Sequence, residues 1–170
     1  MRKPLRVPAF VLLGILVVAS VISDIRSPGK DGASLLAGAH VPPEVRSLID
    51  RACLDCHSEA TRYPWYSYIA PVSWLVNRDV QSGRERLNFS RWSEYTVIRR
   101  ERCLSEIANQ VQDGGMPLNI YVIMHRSARL SKADVRAIFE WTQAERARLI
   151  EESIGARSQD GRTAKQPGLR

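Results

Sequence analysis

Cys53-Leu54-Asp55-Cys56-His57 is the stretch on which the reading of this chain turns. Two cysteines one helical turn apart can reach the two vinyl groups of a single porphyrin. The histidine directly after the second cysteine is then placed beneath the ring, where its imidazole can ligate the iron. The pattern points to one covalently attached haem c per chain. Two other uses of a CxxC pair compete with it. A zinc site could be completed by His57 and Cys103, but such sites usually bring a second close-spaced pair, which this chain lacks. A redox dithiol expects a strand–helix–strand setting, and the flanks here are patterned for helices.

The chain has 170 residues, enough for one domain, and its 44% hydrophobic content suits a globular protein. The formal net charge is +7, and its distribution is more informative than its total. From His40 to Ile150 there are 16 basic and 13 acidic residues. The remaining excess lies at the two termini, so no folded face carries the basic stripe that nucleic acid would need. Three cysteines, two of them in the motif, do not make a disulfide framework.

Arg2, Lys3 and Arg6 precede Val7–Ile22, a run of 16 residues without charge. A full membrane span needs about 20 residues, with roughly 17 as the lower limit. Adding Ser23 brings the run to that limit. The small residues just beyond it fit a cleavage site poorly, so an uncleaved signal-anchor over residues 1–23 is favoured over a cleaved signal. The cations ahead of the run place the N-terminus in the cytoplasm and the body outside it. Residues 24–41, rich in Gly and Ser, suit a linker. The expected haem domain covers 42–150, and a disordered basic tail covers 151–170.

Within the domain, Pro43 opens a helix with Val45, Leu48, Ile49 and Ala52 at helical spacing. That helix is expected to run straight into the motif. Tyr63, Trp65, Tyr66 and Tyr68 form either a wall around a flat cofactor or an ordinary packed loop. A second helix is expected to bury Val72, Leu75, Val76 and Val80 and to end near Gly83. A third follows Ser90, a plausible N-cap, with Val97, Leu104, Ala108 and Val111 as its stripe and Arg99 to Arg102 on a solvated face. Cys103 sits beside that stripe as a small buried hydrophobe. The last helix opens at Ser131, with Asp134 in its first turn.

Gly114-Gly115-Met116-Pro117 ends the third helix. The glycines allow close backbone approach and Pro117 stiffens the segment. A methionine held this way is a candidate sixth ligand to haem iron. His125 is the main rival. His40 lies in the linker, and packing in a regular apolar segment accounts for Met124.

The order of these parts resembles class I c-type cytochromes. More closely, four segments resemble the bacterial haem-binding-domain family. They are Cys53-x-x-Cys56-His57-Ser58; Thr61-Arg62-Tyr63-Pro64-Trp65-Tyr66-Ser67; Leu87-Asn88-Phe89-Ser90-x-Trp92; and Met116-Pro117-Leu118-x-x-Tyr121-x-x-x-His125. The resemblance covers residues 40 to 145. It implies a mostly α, cytochrome c-like helical domain around one haem, attached at Cys53, Cys56 and His57. The expected function is one-electron transfer with redox protein partners at the membrane, on the periplasmic side of a bacterial inner membrane, rather than enzymatic turnover. The alternative is a haem-based sensor or peroxidase-like enzyme with an open or displaceable sixth site.

Overall fold

Helix α1, Pro43–Ala52, starts with a proline where the missing N–H leaves no bond unmade. It buries Val45, Leu48, Ile49 and Ala52, the stripe its spacing predicts. At Cys53 the backbone leaves helical geometry for one residue (φ −125°, ψ −38°), and α2, Leu54–His57, follows. The motif beyond Cys53 therefore occupies a short helix of its own rather than the last turn of α1. This computed structural model describes Val11, Gly14 and residues 35–163, with side chains as far as residue 155. Apart from Val11 and Gly14, the apolar run at Val7–Ile22 lies outside the described residues. None of the described helices is long and apolar enough to cross a membrane.

A 3-10 turn at Trp65–Tyr68 leads into α3, Val72–Arg86. A second 3-10 stretch, Phe89–Glu94, precedes α4, Val97–Gln112. Helix α5, Asn119–Met124, a last 3-10 turn at Arg126–Ala128 and the long α6, Lys132–Thr163, complete the order. There is no strand among the described residues. Helix α4 packs against α6 more extensively than any other two elements meet. Leu104, Trp141 and Leu149 join Ile49, Leu54, Phe89, Trp92 and Cys103 in the main core. Each such side chain, fully buried, contributes about 1.5–3 kcal/mol. Helix α6 begins as expected: the Ser131 hydroxyl accepts from the Asp134 N–H, and the Asp134 carboxylate accepts from the Ser131 N–H.

Four further expectations are corrected. The first concerns α3, which buries Ser73, Val80 and Gly83 and leaves Val72 and Leu75 exposed. The cause is backbone proximity: a Cβ built on Gly83 would stand 2.6 Å from the carbonyl oxygen of Cys56. Only the small-residue face of α3 can approach α2 so closely. The second concerns α4, which is capped by Thr96, whose hydroxyl accepts from the Arg99 N–H. Ser90 lies inside the 3-10 stretch, where Asn88 is the cap. Third, the linker expected over 24–41 ends in the core. Leu36 is buried and donates its N–H to Phe89. The buried carboxylate of Glu145 is paired by Arg148 and by the His40 N–H, and Arg148 also binds the Gly38 carbonyl. These bonds anchor the incoming chain to α6 and satisfy a charge that burial would otherwise penalise. Fourth, α6 continues through Gly155 to Thr163, where a disordered tail was expected. One internal glycine costs a helix only about 1 kcal/mol, and no proline intervenes before Thr163.

Candidate functional site

The break at Cys53 and the close approach of Gly83 to Cys56 set the position of His57. Its Nδ1 lies 3.0 Å from the carbonyl oxygens of both Gly83 and Leu87. Carbonyls only accept, so Nδ1 carries the proton and Nε2 keeps its lone pair. Burial holds the imidazole pKa below its ordinary value, and the two backbone bonds only partly oppose that. His57 is thus a neutral, oriented nitrogen donor. A ring N–H bonded to carbonyls is the usual support for a metal-ligating histidine.

Two adjoining cavities meet at this imidazole. One, of about 340 Å³, is lined by Cys53, His57, Phe89, Cys103, Ile107 and Met116 among others. The second, of about 260 Å³, includes Cys56, His57, Asp79, Gly83, Met116 and Tyr121. Ala52, His57, Arg86, Met116 and Pro117 line both. One cysteine of the motif therefore faces each cavity, and His57 and Met116 belong to both. Met116 is placed by the end of α4. Gly114 turns the chain with φ +70°, a conformation that favours glycine. The Met116 N–H then returns to the Gln110 carbonyl at 3.0 Å.

The other proposed ligands lie elsewhere. His125 lines neither cavity; its Nε2 is 2.6 Å from the Tyr66 hydroxyl, and its ring stacks on Tyr121 at 4.3 Å. His40 is exposed. Met124 is 53% exposed, so packing does not account for it. The aromatic segment contributes no side chain to either lining, and Trp65 is 72% exposed. Its visible role is to carry Tyr66 to His125.

Two residues given no role from sequence matter here. The Tyr121 hydroxyl donates to Asp55 Oδ2 at 2.6 Å, tying α5 to the middle of the CxxCH motif. Asp55 Oδ1 accepts from the Arg62 backbone N–H and Nε. Burial and the Asp55 bond push the Tyr121 phenol well above its usual range, so it stays a donor. The signal available in the sequence was an acid inside the motif and a tyrosine close behind Met116. Their pairing spans 66 positions, which no local pattern reveals.

The competing uses of the cysteines fit poorly. Burial pushes the Cys53 thiol up to about 12 and Cys56 up to about 11, so neither is poised as a thiolate. Among the described residues no group of three His, Cys, Asp or Glu could hold a metal ion, which removes the zinc site built with Cys103. Two partly buried thiols, one in each cavity lining, an oriented imidazole, a thioether and an apolar surround do fit a haem.

A family model described as a haem-binding domain matches residues 11–144. No curated protein and no solved structure matches the chain.

Proposed function

Because the chain belongs to the haem-binding domain family, we propose that it is a membrane-tethered monohaem c-type cytochrome that passes single electrons between redox proteins. The observation that carries this reading is the sharing of both cavities by His57 and Met116, with the His57 Nε2 left free. In this reading Cys53 and Cys56 bind the vinyl groups as thioethers. His57 supplies the proximal nitrogen, held in one tautomer by the carbonyls of Gly83 and Leu87. Met116 supplies the sixth donor. Phe89, Ile107 and Ile138 keep water from the ring. When bound, haem supplies a one-electron iron couple, and a methionine ligand raises its potential relative to a second histidine. The apolar run from Val7, flanked by Arg2, Lys3 and Arg6, would tether the domain on the periplasmic face of a bacterial inner membrane. The family match begins at residue 11, inside that run.

The test is the weak near-infrared sulfur-to-iron band of the ferric protein. It is expected in the wild type and in Met124→Ala and His125→Ala, and absent from Met116→Ala. A wild type without the band, or a band surviving Met116→Ala, overturns the assignment. Ready binding of carbon monoxide or cyanide by the wild type would favour a sensor or peroxidase-like enzyme instead.

A further inference from the structure

Haem is an apolar disc with two propionate carboxylates at one edge. The site that the proposed function gives it must therefore offer a counter-charge or leave both carboxylates to water. The cations near the motif are mostly committed. Arg51 pairs with Asp134 and binds the carbonyls of Ser127 and Arg129. Arg62 is held by Asp55 and Asp50. Arg84 donates to the Ser58 carbonyl and the Thr61 hydroxyl. Arg78 pairs with Asp79 at 3.0 Å.

Arg86 differs from all of these. Among the described residues it is the one cation in the lining of both cavities. Its side chain has no hydrogen bond or ion pair among the described residues. It also lies between Gly83 and Leu87, whose carbonyls orient His57. Two carboxylates share the linings: Asp79, already neutralised by Arg78, and Glu106 of α4. A propionate set beside Glu106 without a cation would meet only repulsion.

We infer that Arg86 is the propionate-binding residue of this chain, closing a bidentate guanidinium–carboxylate pair at the haem edge. The planar fork of arginine matches a carboxylate in a way that an ammonium does not. The pair also serves the redox couple. A cation that offsets the propionate charge makes the ferrous state easier to form, so Arg86 would raise the potential from the turn that fixes the axial imidazole.

This inference rests on the haem reading, and its test separates the two. Covalent haem is first checked on the full chain by its resistance to acid-acetone extraction. Wild-type protein without such haem sinks the parent reading. With haem present, Arg86→Gln is expected to shift the propionate bending mode in the resonance Raman spectrum. The same variant should lower the constant for reduction roughly threefold to tenfold, tenfold being about 59 mV for one electron. Arg86→Lys should restore much of the potential but not the Raman frequency, since it keeps the charge and loses the fork. Arg91→Gln removes the same charge from outside both linings and should change neither. Haem-loaded Arg86→Gln with wild-type Raman frequency and potential overturns the assignment. So does an equal shift in Arg91→Gln.

Discussion

The half of the domain built from α1, α4, α6 and the 3-10 stretch Phe89–Glu94 differs in construction from the half built from α3, α5 and their flanking loops, and both contribute to the cavities. The first half encloses its own apolar side chains: Leu104 and Trp92 are fully buried, with Ile138 and Leu149 nearly so. In the second half, residues 59–86 bury only one large hydrophobic side chain, Val80, and residues 112–127 bury none. Trp65, Trp74, Leu75, Ile120 and Ile123 are exposed there. What holds that half is polar: Arg84 to Ser58 and Thr61, Tyr121 to Asp55, and Tyr66 to His125. Hydrophobic burial is non-directional and tolerates small shifts, whereas hydrogen bonds fix distances. The core half supplies most of the stability and the polar half supplies placement.

Equivalent substitutions in the two halves should therefore have unequal effects. Trp92→Ala is expected to cost about 3–5 kcal/mol, because it leaves a large cavity among immobile neighbours. Trp65→Ala should change stability by less than about 0.5 kcal/mol. Denaturant unfolding of both variants measures the gap, and equal losses would dissolve the distinction. Gly83→Ala tests the placement half. The new methyl group meets the Cys56 backbone, so a cost of about 1–3 kcal/mol is expected in spite of alanine's better helix propensity. The carbonyl of residue 83 would shift from His57 Nδ1, which an altered haem spectrum would report. A stabilised Gly83→Ala with an unchanged spectrum would show that the α2–α3 approach is not constrained.

A modest, pH-dependent effect is expected in the core half. Hydrogen bonding from the Ser131 N–H, with help from the Ser131 hydroxyl and Arg51, holds the Asp134 carboxyl below its ordinary value of 3.8. A depressed folded-state pKa stabilises fully above the unfolded value, and that contribution is lost as pH falls through the folded one. Asp134→Ala removes the reciprocal partner of Ser131 and the ion pair with Arg51, and should cost up to about 1 kcal/mol at neutral pH. Wild type and variant should converge in strong acid. A difference that persists unchanged there would mean the loss is packing rather than charge.

The two halves were also unequally legible in the sequence. The stripe of α1 and the buried positions Leu104, Ala108 and Val111 of α4 follow from helical spacing, because those faces meet other side chains. The same rule misplaced α3, because its neighbour is the backbone of α2 and only Ser73 and Gly83 fit there. Val97 extended the α4 stripe on paper but is exposed at the first turn. Leu36 read as linker because its partner Phe89 lies far along the chain. Arg100 and Glu101 read as a solvated face, yet Arg100 binds the carbonyls of Trp92 and Ser93 and Glu101 pairs with Arg146. At the site, the CxxCH motif and the Gly-Gly-Met-Pro turn announced themselves by local chemistry. The Asp55–Tyr121 bond and the diversion of His125 to Tyr66 depend on tertiary contact and left no periodic trace.

The Tyr121 bond has a mechanical meaning as well. Met116 lies between two clamps, its own N–H on the Gln110 carbonyl and the Tyr121 phenol on Asp55. A segment secured on both sides has little slack. The sulfur can be re-aimed by turning its own side-chain torsions, but the backbone beneath it cannot swing outward while both clamps hold. The backbone entropy of that segment is therefore lost when the chain folds, while the side chain keeps its rotamer freedom. Moving that backbone outward requires breaking the Gln110 bond, the Tyr121–Asp55 contact or both.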